Sequence, residues 1–224
     1  MKRRIALWLC LTLALSLWVS AAEPHRKNAE TSQKIVALTF DDGPHEAYTQ
    51  TILSILEKYR IPATFFIIGE NAQRYPDRVR QIHQAGHELG NHTYSHASVN
   101  KLSAQKLEEE LEKTSQLIQE LTGQRPAVFR PPFGAYNDRC IEQIRQLGYR
   151  PVLWSQDSRD WQLPPAQRIA DSMLANLSQG DILLFHDYNR RHSPTPQALE
   201  ILIPKLLEEG YRFVTVSQLF AQTS

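Results

Sequence analysis

Short β-type runs alternate with helical patterns along most of the chain, and this alternation constrains the fold more than any other feature. The runs are apolar or β-branched and have the length of buried strands. Seven of them are predicted strands: Ile35–Phe40, Ala63–Ile68, Glu88–Asn91, Ala127–Arg130, Pro151–Trp154, Ile182–Phe185 and Arg212–Val216. Strands that alternate with helices indicate parallel pairing, which leaves a barrel or a doubly wound sheet. Seven units favour an α/β fold of the incomplete-barrel type.

The segments between the strands have helical periodicity. Over Leu107–Leu121, apolar residues spaced by four, seven and three positions form one stripe. Other predicted helices lie near residues 48–59, 72–85, 138–147, 165–178 and 196–209. Gly148 and Gly210 follow two of these helices where a left-handed cap is wanted, and Asn137 or Asp138 can cap the start of another.

The first residues have the three-part layout of a secretory signal: a basic start, an apolar centre and a small-residue end. We predict a signal peptide over residues 1–22, a polar linker over 23–33 and one domain over 34–221. A retained N-terminal membrane anchor is the less favoured alternative, because the apolar centre is short for a bilayer span. Both outcomes predict a location outside the cytoplasm, as a secreted, periplasmic or cell-envelope protein.

Cysteine content and charge limit how the domain is stabilised and what it binds. Cys10 lies in the predicted signal, which leaves Cys140 without an intramolecular partner, so a hydrophobic core must stabilise the single domain. The formal net charge of +1 gives no global attraction to nucleic acid. We therefore expect no nucleic-acid partner, and nothing in the composition implies a stable protein partner, so a monomer is expected.

Polar side chains of the types that act as acids, bases or metal ligands recur where the predicted strands end. They are Asp41 and Asp42, His92 and His96, Arg130, Asp157 and Asp160, and His186. In a parallel α/β barrel these carboxyl ends meet on one face, where active sites are built. The Asp pair alone has a simpler interpretation as a turn before Gly43 and Pro44. A turn does not explain the recurrence on strand after strand, so we favour a functional site.

The pair His92 and His96 indicates a metal site. Residues four apart face the same way if the loop enters a helical turn, and two imidazoles can then share one ion. One carboxylate of the Asp41–Asp42 pair could complete a set of two histidines and one carboxylate. Taken alone, two histidines at this spacing are a weak signal, and a solvated surface pair is the alternative.

Five segments in order give a more specific indication. They are TFDDGP at 39–44, HTYSH at 92–96, RPPFG at 130–134, DSRDW at 157–161 and LLFH at 183–186. Together they resemble the motifs of the polysaccharide deacetylases, the NodB-homology family also called carbohydrate esterase family 4. The resemblance implies a distorted (β/α)7 barrel, related to the TIM barrel. It also implies a metal-dependent hydrolase that removes acetyl groups from N-acetylglucosamine units, with zinc favoured and Co²⁺ or another divalent ion as alternatives.

The resemblance also implies a role for each motif residue. Asp41 is the expected general base, oriented by Arg130, and Asp42, His92 and His96 are the expected metal ligands. His186 is the expected general acid, held charged and oriented by Asp160. The remaining expected contacts are with substrate: the backbone N–H of Phe133, and the side chains of Trp161 and Leu184 around the acetyl methyl group. Phe133 stands where many relatives have Tyr, so a hydroxyl contact is lost there.

The expected partner is a glycan: peptidoglycan, chitin or a chitooligosaccharide. Two other functions stay open at this point. One is a glycan-binding module that has kept the fold without turnover, and the other is a metal-dependent amidohydrolase that acts on a small amide. The complete set of acid, base and ligand types argues against the first.

Overall fold

The structure is a computed structural model that describes residues 29, 31–187 and 192–222. The predicted signal peptide over residues 1–22 and most of the predicted linker lie outside the described residues. Within the described part, no helix is both long and apolar enough to cross a membrane. Cys140 is buried and free, as the sequence predicts.

Parallel strands form one sheet around which the helices pack. The strands are β1 (Ile35–Asp41), β2 (Thr64–Ile67), β3 (Glu88–Asn91), β4 (Val128–Phe129), β5 (Arg150–Pro151), β6 (Gln156–Asp157), β7 (Ile182–His186) and β8 (Arg212–Val214). Their order is β5-β4-β3-β2-β1-β7-β6, and β8 pairs with the first half of β1. Every pairing is parallel, which is the arrangement that alternation with helices predicts.

The predicted strand Pro151–Trp154 is wrong in its extent. Arg150–Pro151 pairs with β4, whereas Gln156–Asp157 pairs with β7 on the far side of the sheet. Pro151 has no N–H for a ladder, and the carbonyl of Leu153 accepts a hydrogen bond from Arg130. No ladder joins β5 to β6 in the described part of the chain, so the barrel is open there. The predicted incomplete, distorted (β/α)7 barrel in one domain is confirmed, with eight strands among the described residues instead of the seven predicted.

The helices are α1 (Tyr48–Tyr59), α2 (Gly69–Arg74), α3 (Pro76–Gln84), α4 (Ala104–Thr122), α5 (Asp138–Gln146), α6 (Ala166–Ala175), α7 (Thr195–Glu208) and α8 (Val216–Ala221). The predicted helix near 72–85 is two helices, because Pro76 favours an extended residue before it and starts a new helix. Helix α8 was not predicted from the sequence. Asn137 caps α5 through its side chain, and Gly148 and Gly210 have the expected left-handed backbone.

Side chains alternate in direction along β1, which divides the core into two clusters and sets the direction of Asp41. Val36, Leu38 and Phe40 pack against the helices, whereas Ile35 and Ala37 join a separate cluster with residues of other strands. Because successive side chains of a strand point to opposite faces, Asp41 follows Ile35 and Ala37 toward the barrel interior. β1 is buried over its whole length. Its last residue, Asp41, pairs with His186 of β7, so both residues stand at the same level of the carboxyl edge.

Candidate active site

A cavity of about 410 Å³ opens at the carboxyl ends of the strands. Its wall consists of Asp41, Asp42, His92, His96, Phe133, Trp154, Asp157, Trp161, Leu184 and His186. The wall thus contains every predicted site residue except Arg130 and Asp160, and these two lie directly behind it in contact with wall residues. The structure therefore brings the predicted site residues together.

Asp41 is held by a buried arginine. Its Oδ1 accepts a hydrogen bond of 2.7 Å from Nη1 of Arg130, which is fully buried at the end of β4. The same nitrogen donates to the Thr39 hydroxyl, and Nη2 donates to the carbonyl of Leu153. The guanidinium also lies 4.1 Å from the ring centre of Phe66. These contacts fix the orientation of the Asp41 carboxylate, and burial lowers the pKa of Arg130 while Asp41 opposes that shift.

Asp42 turns away from its neighbour and faces the two histidines. β1 ends at Asp41, and the backbone of Asp42 lies in the left-handed region with φ of 74°, so the alternation of the strand does not continue to Asp42. Oδ1 of Asp42 lies 3.4 Å from Nε2 of His92 and 3.1 Å from Nε2 of His96. Burial opposes the charge of Asp42, but the two histidines hold the pKa of Asp42 well below its usual range. The adjacent carboxylates therefore differ in their shortest contacts, which are with Arg130 for Asp41 and with the two histidines for Asp42.

The two histidines converge without the expected helical turn. Residues 92–96 form an irregular loop after β3, in which Thr93 and His96 have φ of 65° and 59°. The prediction that both imidazoles face one point is confirmed, but the geometry proposed for it was wrong. Nδ1 of His92 lies 2.7 Å from the carbonyl oxygen of Arg130, an acceptor, so this nitrogen is protonated and donates. Nε2 of His92 is therefore the nitrogen left to face Asp42.

This donor set matches a divalent-metal site. Ligand atoms of Asp42, His92 and His96 all lie within 4.8 Å of one another. In a tetrahedral site with ligand bonds of about 2.0–2.2 Å, two ligand atoms lie roughly 3.3–3.6 Å apart. The observed separations of 3.4 and 3.1 Å from Asp42 are close to that spacing. Two imidazole nitrogens and one carboxylate leave further coordination positions for water and substrate.

His186 and Asp160 form the opposite side of the site. Nδ1 of His186 lies 2.6 Å from Oδ1 of Asp160, and the backbone N–H of His186 donates to Oδ2 over 2.8 Å. The hydroxyl of Thr195 donates to the same Oδ2 over 2.5 Å, so the carboxylate is fixed from two elements. Burial opposes protonation of His186, but the hydrogen bond and charge of Asp160, with Asp42 and Asp41, raise the pKa of His186 to about 9. The imidazole is therefore charged at neutral pH.

Apolar side chains complete the cavity. Leu184 is buried in β7, whereas Phe133 and Trp161 have exposed fractions of 70% and 56%. The ring of Phe133 lies 4.5 Å from that of His96, between centres, and its backbone has φ of 61°. Trp154 adds a further aromatic wall. Exposed aromatic rings beside a polar site provide surfaces on which the apolar face of a substrate can pack.

Several residues of this site were not predicted from the sequence. Trp154 was assigned to a strand, and its position at the opening between β5 and β6 is a property of the sheet. Asp157 was noted at a strand end without a role, and it lies in the cavity wall. Thr195 gave no signal, because its contact with Asp160 spans 35 residues of the chain.

Comparison with known proteins agrees with the geometry. The sequence profile of the family described as Polysaccharide deacetylase matches residues 28–152. A peptidoglycan-N-acetylglucosamine deacetylase of Bacillus cereus is 42% identical over 190 residues, which cover 84% of this chain and 89% of that protein.

Solved structures show the same fold. The peptidoglycan N-acetylglucosamine deacetylase Bc1960, in complex with 4-naphthalen-1-yl-N-oxidanyl-benzamide, superimposes with a TM-score of 0.86 at 35% identity, covering 90% of this chain and 94% of that one. A CE4 family pseudoenzyme from Bacillus anthracis gives 0.82 at 28% identity, covering 88% and 68%. The matched residues, the extent of the match and the common fold together show that this chain belongs to the polysaccharide deacetylase family, carbohydrate esterase family 4.

Proposed function

We propose that this protein is a metal-dependent deacetylase that hydrolyses the N-acetyl group of N-acetylglucosamine units in a glycan, with peptidoglycan favoured over chitin-type polymers. One observation carries the proposal. Asp42, His92 and His96 converge on one point, and a carboxylate (Asp41) and an imidazolium (His186) share the same cavity. The names of the relatives in the comparison support peptidoglycan as the substrate class.

Asp42, His92 and His96 are the proposed ligands of one divalent ion, zinc in the first place, with cobalt as an alternative. When bound, such an ion supplies Lewis-acid chemistry, since it polarises an amide carbonyl and makes a water molecule easier to deprotonate. The protein orients the three ligand side chains before the ion binds. Because Nδ1 of His92 donates to the carbonyl of Arg130, the ring is oriented so that Nε2 would bind the ion.

Asp41 is the proposed general base. It accepts a proton from the attacking water, and its carboxylate is suited to this because Arg130 keeps Oδ1 fixed while Oδ2 lies toward His92, 3.9 Å from Nε2. Attack on the acetamide carbonyl gives a tetrahedral oxyanion. The backbone N–H of Phe133 is the proposed donor to that oxyanion, and Leu184 and Trp161 enclose the methyl group.

His186 is the proposed general acid. An amine leaves poorly as an anion, so the nitrogen of the sugar must gain a proton as the C–N bond breaks. His186 is charged before the reaction and keeps Nε2 for the donation, because Nδ1 is bonded to Asp160. Proton transfer from His186 releases the glucosamine unit and acetate.

We further propose that residues 1–22 direct export and that the domain acts outside the cytoplasm as a monomer. The basic, apolar and small-residue segments of the N-terminus support export.

Acetate release from a panel of substrates tests the function. The full chain, loaded with zinc, is incubated with peptidoglycan fragments, chitooligosaccharides and small N-acetyl amides, and mass analysis locates the sugar that lost its acetyl group. We expect acetate and free amine in equal amounts from N-acetylglucosamine units. Binding of glycan without acetate release would indicate the non-catalytic module instead. Release from small amides alone would indicate the amidohydrolase.

The alkaline limb of the pH profile should report His186. Only protonated His186 can act as the acid, so kcat/KM should fall as the pH rises through its pKa, near or below 9 once a bound cation offsets the charge of Asp42. Asp160→Asn removes the charge that favours the imidazolium, so the limb should move to lower pH and the rate should drop. The control is Asp171→Asn on the exposed surface of α6, which should leave the profile unchanged. An alkaline limb that stays in place in Asp160→Asn would contradict this role.

A further inference from the structure

A buried carboxylate behind the cavity, Glu110 of α4, faces the loop that carries His92 and His96. Its exposed fraction is 5%, and no ion pair of Glu110 is found among residues 31–187 and 192–222. A buried carboxylate without a cation is costly unless strong hydrogen bonds replace its hydration. The partners of Glu110 therefore show what its burial achieves.

Within the described residues, every hydrogen-bond donor to the side-chain carboxylate of Glu110 belongs to that one loop. Oε2 of Glu110 accepts from the backbone N–H of Tyr94 over 2.9 Å and from that of Ser95 over 2.8 Å. Oε1 accepts from the hydroxyl of Ser95 over 2.9 Å. Bonds to an ionised acceptor are roughly twice as strong as neutral ones. Glu110 thus holds the segment between the two histidines from the α4 side.

The loop needs this support because its backbone is strained. Thr93 and His96 both have left-handed backbone, which L side chains adopt only when the surroundings impose it. On the opposite side, the N–H groups of Gly69 and Glu70 donate to the carbonyls of Thr93 and Tyr94. The loop is thus hydrogen-bonded through its carbonyls on one side and through its N–H groups on the other.

We propose that Glu110 is a positioning residue for the metal site: its three hydrogen bonds keep Nε2 of His92 and Nε2 of His96 converged on Asp42. The inference rests on the proposed function, since it concerns the same ion. Glu110 is not one of the three proposed ligands. It acts by fixing the loop before the ion arrives, so its loss should weaken binding rather than abolish it.

Zinc affinity, measured on the full chain by competition with a chromogenic chelator, tests the inference. Glu110→Ala should bind zinc about 10–100-fold more weakly, the usual loss when a group that supports metal ligands is removed. Glu110→Gln should lose less, roughly 3–10-fold, because its amide oxygen still accepts hydrogen bonds but without the charge. Glu108→Ala removes an exposed carboxylate of the same helix and should stay within about two-fold of wild type.

Two readouts separate positioning from general damage. Far-UV circular dichroism of the metal-free variants should match wild type. The visible absorption of the Co²⁺-loaded protein should change in Glu110→Ala, because the histidine geometry relaxes, and should be unchanged in Glu108→Ala.

A folded Glu110→Ala that binds zinc within two-fold of wild type would overturn the inference. If Glu110→Ala does not fold, Glu110→Gln serves as the test. A folded Glu110→Gln that binds zinc with wild-type affinity would overturn the inference. The proposed function has its own check, since wild type must bind zinc and His92→Ala must not. Equally tight zinc binding by wild type and Glu110→Ala would therefore contradict only the positioning role of Glu110, not the proposed function.

Discussion

Asp41→Asn should retain its zinc and lose about 10²–10⁴-fold in kcat on N-acetylglucosamine glycans, the usual contribution of a positioned base. Asparagine has nearly the shape of aspartate and can still accept the hydrogen bond from Arg130, but it cannot take a proton from water. The three proposed ligands are unchanged, so the metal should stay. Steady-state acetate release together with metal analysis of the purified variant measures both effects.

Removal of the Asp41 charge also leaves the buried guanidinium of Arg130 without its counter-ion. Breaking a buried pair in this way costs about 3–5 kcal/mol, so thermal unfolding must show that the variant is folded at the assay temperature. Asp171→Asn is the matched control and should keep full activity. A folded Asp41→Asn that turns over at a near-normal rate would refute the base assignment, and one that has lost its zinc would make Asp41 a ligand.

His92→Ala should abolish activity through loss of the metal. The change removes Nε2 from the proposed ligand set and also the bond from Nδ1 to the Arg130 carbonyl. We expect zinc affinity to fall by more than about 100-fold, beyond the range for groups that only support the ligands. Chelator competition measures the affinity, and acetate release at saturating zinc measures the activity.

The control is His83→Ala, a histidine of α3 that is not in the cavity wall. It should bind zinc and release acetate as wild type does. Tight zinc binding by His92→Ala would remove His92 from the ligand set.

Much of the site was predictable because strand ends have a fixed relation in a parallel barrel. Asp41 and His186 are 145 positions apart in sequence, yet the ladder between β1 and β7 pairs them directly. Any sequence that reveals its strands also reveals which residues follow them at the carboxyl edge. The motif resemblance then assigned a separate role to each of these residues, something strand position alone does not do.

Contacts that depend on irregular backbone could not be predicted from the sequence. The imidazoles of the histidine loop converge because Thr93 and His96 have left-handed backbone, not because the loop forms a helical turn. A threonine at position 93 gives no sequence signal for such a conformation. In the sequence, Glu110 cannot be told from the other acidic residues of an amphipathic helix, and only the fold brings it into contact with Tyr94 and Ser95. The interrupted strand after Pro151 likewise depends on where the barrel opens.

Acetate release by metal-free wild-type protein, before and after addition of zinc, tests the central claim most directly. The protein is stripped with a chelator, verified to be free of metal and titrated with zinc while acetate from an N-acetylglucosamine glycan is followed. We expect no acetate without metal and a rate that rises to a plateau at one equivalent, because Asp42, His92 and His96 form one site. Full activity in the metal-free protein would contradict the account.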